Sequence, residues 1–554
     1  QIYTTQDPAI QKIVDEEVNN PDNYTAKRYS AEYRLSITHG DGTTEHYSER
    51  DMQSWHKNVL GDSHDGLYDS EEEVQADVDS YKAWLLKEDD TIIGESLTKI
   101  LQPQVSFVLM DQKTGYVKAI SGGRGAKTAN LTLNRATNTP RQPGSTFKVI
   151  SAFAPALDTC GATLGTVYYD SVYSVGNKTF NNWYGQKYTG YSSIRDGIIY
   201  SMNIVAVRCL METVSPQLGL EYAENFGITT LTSQDLGASQ ALGGLTHGTT
   251  NLELTAAYAS IANEGIYTRP VFFTKILDHD GKILINNEPE THRVLKDSTA
   301  FLLTDAMAGS METNRKFGSS INSTSARANI PGMSNAGKSG TTSKNNDIWF
   351  VGYTPYYTAG IWAGCDSNQK LTAQNGGTSF HKNIWRNIMT RVHENLSDPG
   401  FTIPDSVETA QICRKSGKLA IPGVCTEDPR GNAVYTEYFA KGTVPSEMCN
   451  THVRATVCAE TGLLPGDSCP RTVLIRIALP ADANGTTDDS PYALPTEQCT
   501  GHTSIPLPLT PDGPGSSEFQ GPGGSLGPVG PGYVNGGSTV SSPTGGVSRG
   551  PGLD

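Results

Sequence analysis

The 554-residue sequence has no run of about 18 apolar residues, so it predicts no membrane-spanning helix. Basic residues are also few, because 43 Lys and Arg stand against 58 Asp and Glu, for a formal net charge of −15. This balance argues against a nucleic-acid partner, which would need a basic face. With 36% hydrophobic residues, the chain can nevertheless bury one large core and one or two smaller ones.

Three short motifs carry the chemical information. Ser145-Thr-Phe-Lys148 comes first, Ser201-Met-Asn203 second and Lys338-Ser-Gly-Thr341 third. Each motif alone is weak evidence of a function, since a single copy usually lies on a solvated helix face, in a helix cap or in a surface turn. Their order, spacing and context are far more specific in combination.

The first motif pairs a hydroxyl with an amine. On a helix, Ser145 and Lys148 share one face and lie within hydrogen-bond reach. A serine hydroxyl needs a neighbouring base, and a lysine acts as a base only when burial or another cation destabilises its ammonium. Lys338 can supply that cation. The three motifs therefore predict an acyl-transfer site.

The context of the motifs predicts where they lie. Pro143 and Gly144 end a loop, so a helix can start on Ser145, and the apolar run that follows suits a buried helix. Lys338 precedes two strand-like runs, 347–353 and 357–363. We therefore expect Lys338 on the edge strand of a sheet beside the serine helix.

Residues from about 100 to 395 resemble the penicillin-binding transpeptidase domain, a serine acyltransferase family that includes the serine β-lactamases. Beyond the motifs, the resemblance rests on Val105–Asp111 with Gly115–Gly123, and on Asn134–Thr137. It implies a mixed α+β fold in which helices flank an antiparallel sheet. The smaller matches are Leu242–Gly244, Ala256–Ala259, Asn263–Gly265 and Asp347–Pro355.

The resemblance implies a role for each motif residue. Ser145 attacks a D-alanyl-D-alanine stem peptide, Lys148 is its base, and Ser201 relays a proton. Asn203 holds the substrate backbone and Lys148, and Lys338 adds positive charge that attracts the substrate's terminal carboxylate. The substrate-binding candidates on the third motif are Ser339, Gly340, Thr341 and Thr342. The backbone N–H groups of Ser145 and Thr341 would form an oxyanion hole. Nothing in this chemistry requires a cofactor or a metal.

The implied function is a D,D-transpeptidase that cross-links peptidoglycan and is acylated by β-lactams, with two alternatives. A serine β-lactamase or D,D-carboxypeptidase would hydrolyse the acyl-enzyme. A β-lactamase of the nearest type needs a Glu-x-x-x-Asn loop, and Glu221–Asn225 matches that pattern. However, its apolar spacing predicts an ordinary helix ending at Gly227. The third reading is a sensor or binding protein that is acylated without turnover.

The pattern of the chain predicts six segments. The one at residues 31–98 alternates strand-like pieces such as Glu32–Thr38 with an acidic helical stretch at 70–86. The segments are a linker (1–30), a small α+β insert (31–98), the transpeptidase domain (99–400), two cysteine modules (408–452 and 453–503) and a disordered Gly/Pro/Ser-rich tail (504–554).

The two cysteine modules repeat each other. Cys449-Asn-Thr-His452 aligns with Cys499-Thr-Gly-His502, and matching cysteines are 45, 44 and 50 residues apart. Modules this poor in apolar residues need cross-links, such as disulfides or a bound metal ion, to hold a fold. Outside the cytoplasm the pattern favours disulfides, with Cys₃His zinc sites as the alternative. The disulfide candidates are Cys413, Cys425, Cys449, Cys458, Cys469 and Cys499.

The first residues, Ile2–Pro8, resemble the linker that precedes this domain in class A, two-domain penicillin-binding proteins. We therefore expect a fragment that has lost a membrane anchor and a glycosyltransferase domain. The expected location is the outer face of a bacterial cytoplasmic membrane, with attachment only through the missing anchor. The expected partners are peptidoglycan stem peptides and β-lactams.

Overall fold

The computed structural model describes residues 1–127 and 130–502, where 21 strands and ten α-helices form. The predicted disordered tail lies outside the described residues. The strands are β1 (Ile2–Thr4), β2 (Arg28–Thr38), β3 (Thr44–Ser48), β4 (Thr91–Gln102), β5 (Gln104–Asp111), β6 (Val117–Ser121), β7 (Val167–Asp170), β8 (Tyr173–Val175), β9 (Lys178–Phe180), β10 (Gly190–Ser193), β11 (Ile266–Thr268), β12 (Phe273–Leu277), β13 (Ile283–Asn286), β14 (Thr291–Arg293), β15 (Ala336–Thr341), β16 (Asp347–Tyr353), β17 (Tyr357–Gly364), β18 (Val407–Cys413), β19 (Val434–Ala440), β20 (His452–Cys458) and β21 (Arg471–Ile477). The helices are α1 (Pro8–Asn19), α2 (Glu49–Trp55), α3 (Glu71–Leu85), α4 (Ala154–Asp158), α5 (Ile194–Ile199), α6 (Asn203–Arg208), α7 (Pro216–Asn225), α8 (Asn251–Ala262), α9 (Asp297–Met311) and α10 (Phe380–Val392).

The main sheet has five antiparallel strands in the order β15–β16–β17–β5–β6. Successive residues of β16 face opposite sides, as the pleat requires. Ile348 and Phe350 pack into one core with α1 and α10, whereas Trp349 and Val351 pack into the other with α8 and α9. Helices therefore cover both faces, and the prediction of a mixed fold with a flanked antiparallel sheet is confirmed.

The strand that carries the third motif, β15, is at the edge of this sheet, with Lys338 opposite Val351 of β16. Both strand predictions beside it are confirmed, since β16 and β17 cover the two runs. An edge strand has one side free of sheet hydrogen bonds. Such a strand can accept an extended peptide as a further strand.

A small α+β layer precedes the main sheet. The sheet β3–β2–β4 packs against α2 and α3 around a core that includes Tyr33, Leu35, Trp55 and Tyr81. The strand predicted at 32–38 lies within β2, and the acidic helix predicted at 70–86 is α3. Residues 1–502 form one compact unit, so the domain boundaries stay predictions.

Each cysteine module is built on one antiparallel hairpin, β18–β19 in the first and β20–β21 in the second. A buried ion pair ties the first module to α5. Arg195, in the first turn of α5, donates from Nε to Glu437 Oε2 at 2.7 Å and from its terminal nitrogen to Oε1 at 2.6 Å. Glu437 lies on β19 and is completely buried. Arg195 also pairs with Asp305 of α9.

None of the helices in residues 1–127 and 130–502 combines the length and apolar character needed to cross a bilayer.

We expect Arg195→Met to destabilise the protein, because it leaves the Glu437 carboxylate buried without its partner. The free energy of unfolding should fall by about 3–5 kcal/mol, measured by urea unfolding followed by tryptophan fluorescence. Arg269→Met is the matched control, since the Arg269–Glu290 pair is 67% and 75% exposed. It should cost less than about 1 kcal/mol. Equal effects of the two substitutions would contradict the role given to the buried pair.

Candidate active site

The first motif lies on a helical segment that begins as a 3-10 turn at Gly144–Thr146. Helical backbone continues through a π-helical stretch at Val149–Phe153 and into α4. The prediction that a helix starts at Ser145 is therefore confirmed, although the winding is irregular. Ser145 is half-buried on its first turn, and Lys148 is completely buried one turn later.

Two side chains fix the start of this helix from the sheet side. Tyr258 of α8 donates its hydroxyl to the Thr146 carbonyl at 2.7 Å. Trp349 of β16 donates its indole N–H to the Gln142 carbonyl at 2.9 Å. Both aromatic side chains are buried, so the position of the Ser145 turn is set by packed core residues.

Lys148 meets the second motif. Its Nζ donates to the Ser201 carbonyl and to Asn203 Oδ1, both at 2.6 Å, and lies 3.3 Å from Ser201 Oγ. Among the described residues, none of its hydrogen bonds goes to Ser145. Catalytic hydrogen bonds are often long before substrate binds, so this geometry does not remove Lys148 as a candidate base.

Ser201 has a left-handed backbone, with φ of 53°, between α5 and α6. Non-glycine residues rarely adopt this conformation, and such strain is concentrated at functional sites. The turn places Ser201 Oγ between two amines, since Lys338 Nζ donates to it at 2.7 Å. The Ser201 hydroxyl therefore bridges Lys148 and Lys338.

Asn203 is the first residue of α6 and is oriented by its second amide atom. Its Nδ2 donates to the Asn181 carbonyl at 2.8 Å, which leaves Oδ1 as the acceptor for Lys148. Asn182 supports the same turn, because its Oδ1 accepts the backbone N–H of Asn203 at 2.9 Å.

The third motif brings Lys338 to Ser201 from the opposite side. Lys338 is completely buried, Ser339 is nearly so, and Thr341 is exposed. Thr342 was predicted to bind substrate, but its hydroxyl makes contacts within the protein. It accepts the backbone N–H groups of Asn346 and Asp347 at 3.2 and 3.1 Å, so it closes the β15–β16 turn.

Two glycines allow β15 to approach the Ser145 turn closely. A Cβ on Gly340 would lie 2.4 Å from the Pro143 carbonyl oxygen. A Cβ on Gly144, whose φ is 56°, would lie 2.8 Å from the Thr341 carbonyl oxygen. Glycine is therefore required on both sides of this contact. The contact brings the backbones of Ser145 and Thr341 together, as an oxyanion hole needs.

Within residues 1–127 and 130–502, no counter-charge contacts the two lysines, since their hydrogen-bond partners there are all neutral oxygen atoms. Burial lowers the pKa of Lys148 well below its usual value, and the positive charge of Lys338 lowers it further. Burial also lowers the pKa of Lys338 to about 7, with a contribution from Lys382. Lys148 can therefore be neutral at physiological pH.

Comparison with known proteins agrees with this arrangement. The model of the penicillin binding protein transpeptidase domain matches residues 105–390, and that of the penicillin-binding protein 1A C-terminal domain matches residues 403–454. The chain belongs to the penicillin-binding protein transpeptidase family, class A type. The first match contains all three motifs.

Relatives support the assignment. Penicillin-binding protein 1A of Clostridium botulinum (strain Langeland) is 35% identical over 383 residues, which are 67% of this chain and 45% of the relative. Penicillin-binding protein 1A/1B of Bacillus subtilis is 30% identical over 385 residues, 66% of this chain and 40% of the relative. The chain thus spans less than half the length of either.

A solved structure supports the fold. The crystal structure of penicillin-binding protein 1A from Haemophilus influenzae superposes with a TM-score of 0.59 at 20% identity, covering 81% of this chain and 73% of that chain.

The Glu-x-x-x-Asn match at Glu221–Asn225 lies on α7. Glu221 lies on the exposed face of α7 and accepts a hydrogen bond from Gln217, and Gly227 follows the end of that helix in a left-handed conformation. The prediction of an ordinary helix there is confirmed.

Lys382 belongs to the electrostatics of the site but not to a recognised motif. It lies on α10, and its Nζ donates to the Thr324 carbonyl at 2.8 Å. Burial lowers its pKa to about 8, with a contribution from Arg327. In the sequence Lys382 is one cation in an amphipathic helix, so only the packing of α10 against β16 reveals its position.

The cysteine modules differ from the expectation of disulfides, since all nine cysteines of the chain are free in the structure. In each module three thiols and a histidine converge on one point, an arrangement that pairwise bridging does not produce. The predicted bridges at Cys413, Cys425, Cys449, Cys458, Cys469 and Cys499 are therefore not formed here.

The pKa of Lys338 predicts the pH dependence of the reaction that we expect of this site, acylation by a carboxylate-bearing β-lactam. Above about pH 7 Lys338 loses its charge, so the second-order acylation rate constant should fall between about pH 7 and pH 9. Lys382→Gln removes a cation that lowers this pKa, so the fall should move to higher pH. Stopped-flow measurement with a chromogenic β-lactam gives the profile.

Lys282→Gln, an exposed lysine in the turn after β12, is the control and should leave the profile unchanged. A flat profile over this range, or a shift to lower pH in Lys382→Gln, would show that the Lys338–Lys382 coupling is wrong.

Proposed function

We propose that the protein is a serine D,D-transpeptidase that cross-links peptidoglycan stem peptides through an acyl-enzyme on Ser145, and that β-lactams acylate the same residue. One observation carries this proposal. Lys148 is buried next to the Ser145 turn with no carboxylate partner in the part of the chain that the structure describes, and a second buried lysine shares the Ser201 hydroxyl with it.

The first half-reaction uses a neutral Lys148 as the base. Ser145 Oγ attacks the carbonyl carbon of the penultimate D-alanine while its proton passes to Lys148 Nζ. The carbonyl oxygen gains negative charge opposite the backbone N–H groups of Ser145 and Thr341. The peptide C–N bond then breaks, and the departing amine receives a proton from Lys148 through the Ser201 hydroxyl. Terminal D-alanine leaves, and Lys148 is neutral again.

Substrate recognition follows from β15. A stem peptide can lie along this edge strand, where buried Lys338 and the hydroxyls of Ser339 and Thr341 would face its terminal carboxylate. A bound carboxylate would favour protonated Lys338. That charge in turn favours neutral Lys148, so substrate binding and base activation support each other.

The second half-reaction needs an acceptor amine. Its nitrogen attacks the ester carbonyl, its proton passes to Lys148, and Ser145 Oγ leaves and takes that proton, which completes a cross-link. A β-lactam ring opens when its C–N bond breaks, but the amine stays attached to the acyl group. It continues to fill the acceptor position, so the adduct persists.

The hydrolytic alternatives have less support. The glutamate that a β-lactamase would use to activate water is Glu221, and its side chain is exposed and pairs with Gln217 on α7. A sensor function would use the same Ser145 chemistry and differs only in turnover. The proposed location is the cell-wall space, where stem peptides are found.

Intact mass spectrometry after incubation with a penicillin tests the nucleophile. The parent should gain the whole mass of the drug, since ring opening releases no atoms, and Ser145→Ala should gain nothing. Ser174→Ala is the control, because this exposed hydroxyl bonds Thr179 in the β8–β9 hairpin. It should keep the adduct. An adduct retained in Ser145→Ala would contradict the assignment.

Turnover of a D-alanyl-D-alanine stem peptide with an amine acceptor separates the alternatives. A transpeptidase releases D-alanine and forms the cross-linked product. Release of D-alanine without cross-links would indicate a carboxypeptidase. A short-lived drug adduct together with hydrolysis of the drug would indicate a β-lactamase. A stable drug adduct without peptide turnover would indicate a sensor.

A further inference from the structure

The two cysteine modules each gather three thiols and one imidazole in a place that the proposed reaction does not use. In both, the four donor atoms lie within 4.8 Å of one another. The first set is Cys413, Cys425, Cys449 and His452, and the second is Cys458, Cys469, Cys499 and His502. The same donor set thus recurs in each copy of the repeat.

The donor atoms of the first set have spacings that suit one tetrahedral ion. His452 Nδ1 lies 3.2 Å from Cys413 Sγ and 3.6 Å from Cys449 Sγ. Zinc–sulfur bonds of about 2.3 Å and zinc–nitrogen bonds of about 2.0 Å place such ligand atoms about 3.5 Å apart. All four residues are buried, with at most 5% of any of them exposed.

A carboxylate orients the imidazole of the first set. His452 Nε2 bonds Asp428 Oδ2 at 2.8 Å, so Nδ1 is the nitrogen that faces the thiols. Arg430 in turn donates to both carboxylate oxygens of Asp428 at 2.8 Å. Histidines that bind metals are commonly held by a carboxylate on their other nitrogen. This contact lies outside the repeated pattern and points to the same conclusion.

Backbone N–H groups face the sulfur atoms. In the first module the N–H groups of Lys415 and Ile421 point at Cys413 Sγ and Cys425 Sγ, at 3.4 and 3.3 Å. In the second, the N–H of Gly466 points at Cys469 Sγ at 3.2 Å. Donors placed in this way stabilise thiolates, the form in which cysteine binds metals.

The second set differs in its histidine. His502 places Nε2, not Nδ1, 3.4 Å from Cys458 Sγ, and the carboxylate near it belongs to the exposed Glu460 at 3.6 Å. His502 is itself partly exposed, while the three cysteines are buried. The second set is therefore held less firmly than the first.

The apolar cluster around each donor set is small. It consists of the three cysteines, packed against the partly buried Ala420, Ile421 and Val434 in the first module and Leu463 in the second. One disulfide would use two thiols of a set and leave the third thiol and the imidazole without a use. A metal ion uses all four groups and contributes folding free energy directly.

We propose that each module binds one structural Zn²⁺ ion through its three cysteines and its histidine. Thiolate and imidazole ligands select zinc over calcium or magnesium. Four protein ligands leave no open coordination position, so the ions serve the fold and do not take part in catalysis.

Strand β20 connects the two sites, because it begins at His452 and ends at Cys458. A strand of this length puts the two ions about 20 Å apart.

The first site is also linked by side-chain contacts to the part of the chain that carries the second motif. Arg430 pairs with both Asp428 and Asp489, and Asp489 accepts the backbone N–H of Tyr191 in β10 at 2.8 Å. Because α5 and Ser201 follow β10, the first metal site supports the segment that carries the second motif.

Metal analysis of the whole chain, purified without chelators and dialysed against zinc-free buffer, tests the proposal. The parent should contain about two zinc ions per chain, one for each set. Cys449→Ser and Cys499→Ser should each lose one of them. Cys160→Ser, a partly exposed cysteine outside both sets, is the control and should keep both.

A second measurement applies where a variant fails to fold. The parent is exchanged with Co²⁺, and its absorption spectrum should show thiolate-to-cobalt charge transfer and the strong visible bands of tetrahedral coordination. Metal absent from the parent, with its six module cysteines found as disulfides by alkylation and mass spectrometry, would overturn the proposal. If the parent holds a single ion and only Cys449→Ser removes it, the proposal would be wrong for the second module and would stand for the first. None of these readouts depends on the transpeptidase reaction.

Discussion

The proposed active site depends on placing two lysine side chains around one serine hydroxyl, with no carboxylate among the described residues to balance their charge. Lys148 and Lys338 are completely buried, and Ser201 Oγ lies within 3.3 Å of both amines. Burying two unpaired ammonium groups is so costly that at least one amine sheds its proton. The same cost that opposes folding therefore yields a base at neutral pH. Core packing must outweigh it, which explains why the supporting residues are large buried aromatics such as Tyr258 and Trp349.

The antiparallel sheet makes this placement possible. Its edge strand β15 presents Lys338 and can also receive a peptide along its free side. Gly340 and Gly144 remove the side chains that would separate this strand from the Ser145 turn. One close backbone contact thus brings the proposed nucleophile Ser145, Lys338 and the proposed substrate-binding edge together. The cysteine modules add support from outside, through Glu437 on Arg195 and through Asp489 on β10.

Much of this could be predicted from the sequence because the relevant signals are local. Apolar runs bounded by turn residues predicted β16 and β17, and the order of the motifs predicted that Lys338 would lie beside the serine helix. The left-handed Ser201 could not be predicted, since a serine between two helices carries no sign of it. Lys382 was missed because its effect on Lys338 arises only through tertiary packing. From compartment and number, the sequence favoured disulfides for the cysteines and kept Cys₃His zinc sites as the alternative, because the close approach of the three thiols to His452 appears only in three dimensions.

The central claim is that burial, reinforced by the charge of Lys338, keeps Lys148 neutral, and the acid limb of the acylation rate tests the contribution of Lys338 most directly. A neutral serine-directed phosphonate suits this test, because it has no carboxylate for Lys338 to bind. The rate at which it modifies Ser145 should fall at low pH as Lys148 gains a proton. Lys338→Met keeps the site apolar but removes the cation that lowers the pKa of Lys148, so the acid limb should move to higher pH. An acid limb at the same pH in the parent and in Lys338→Met would contradict the account.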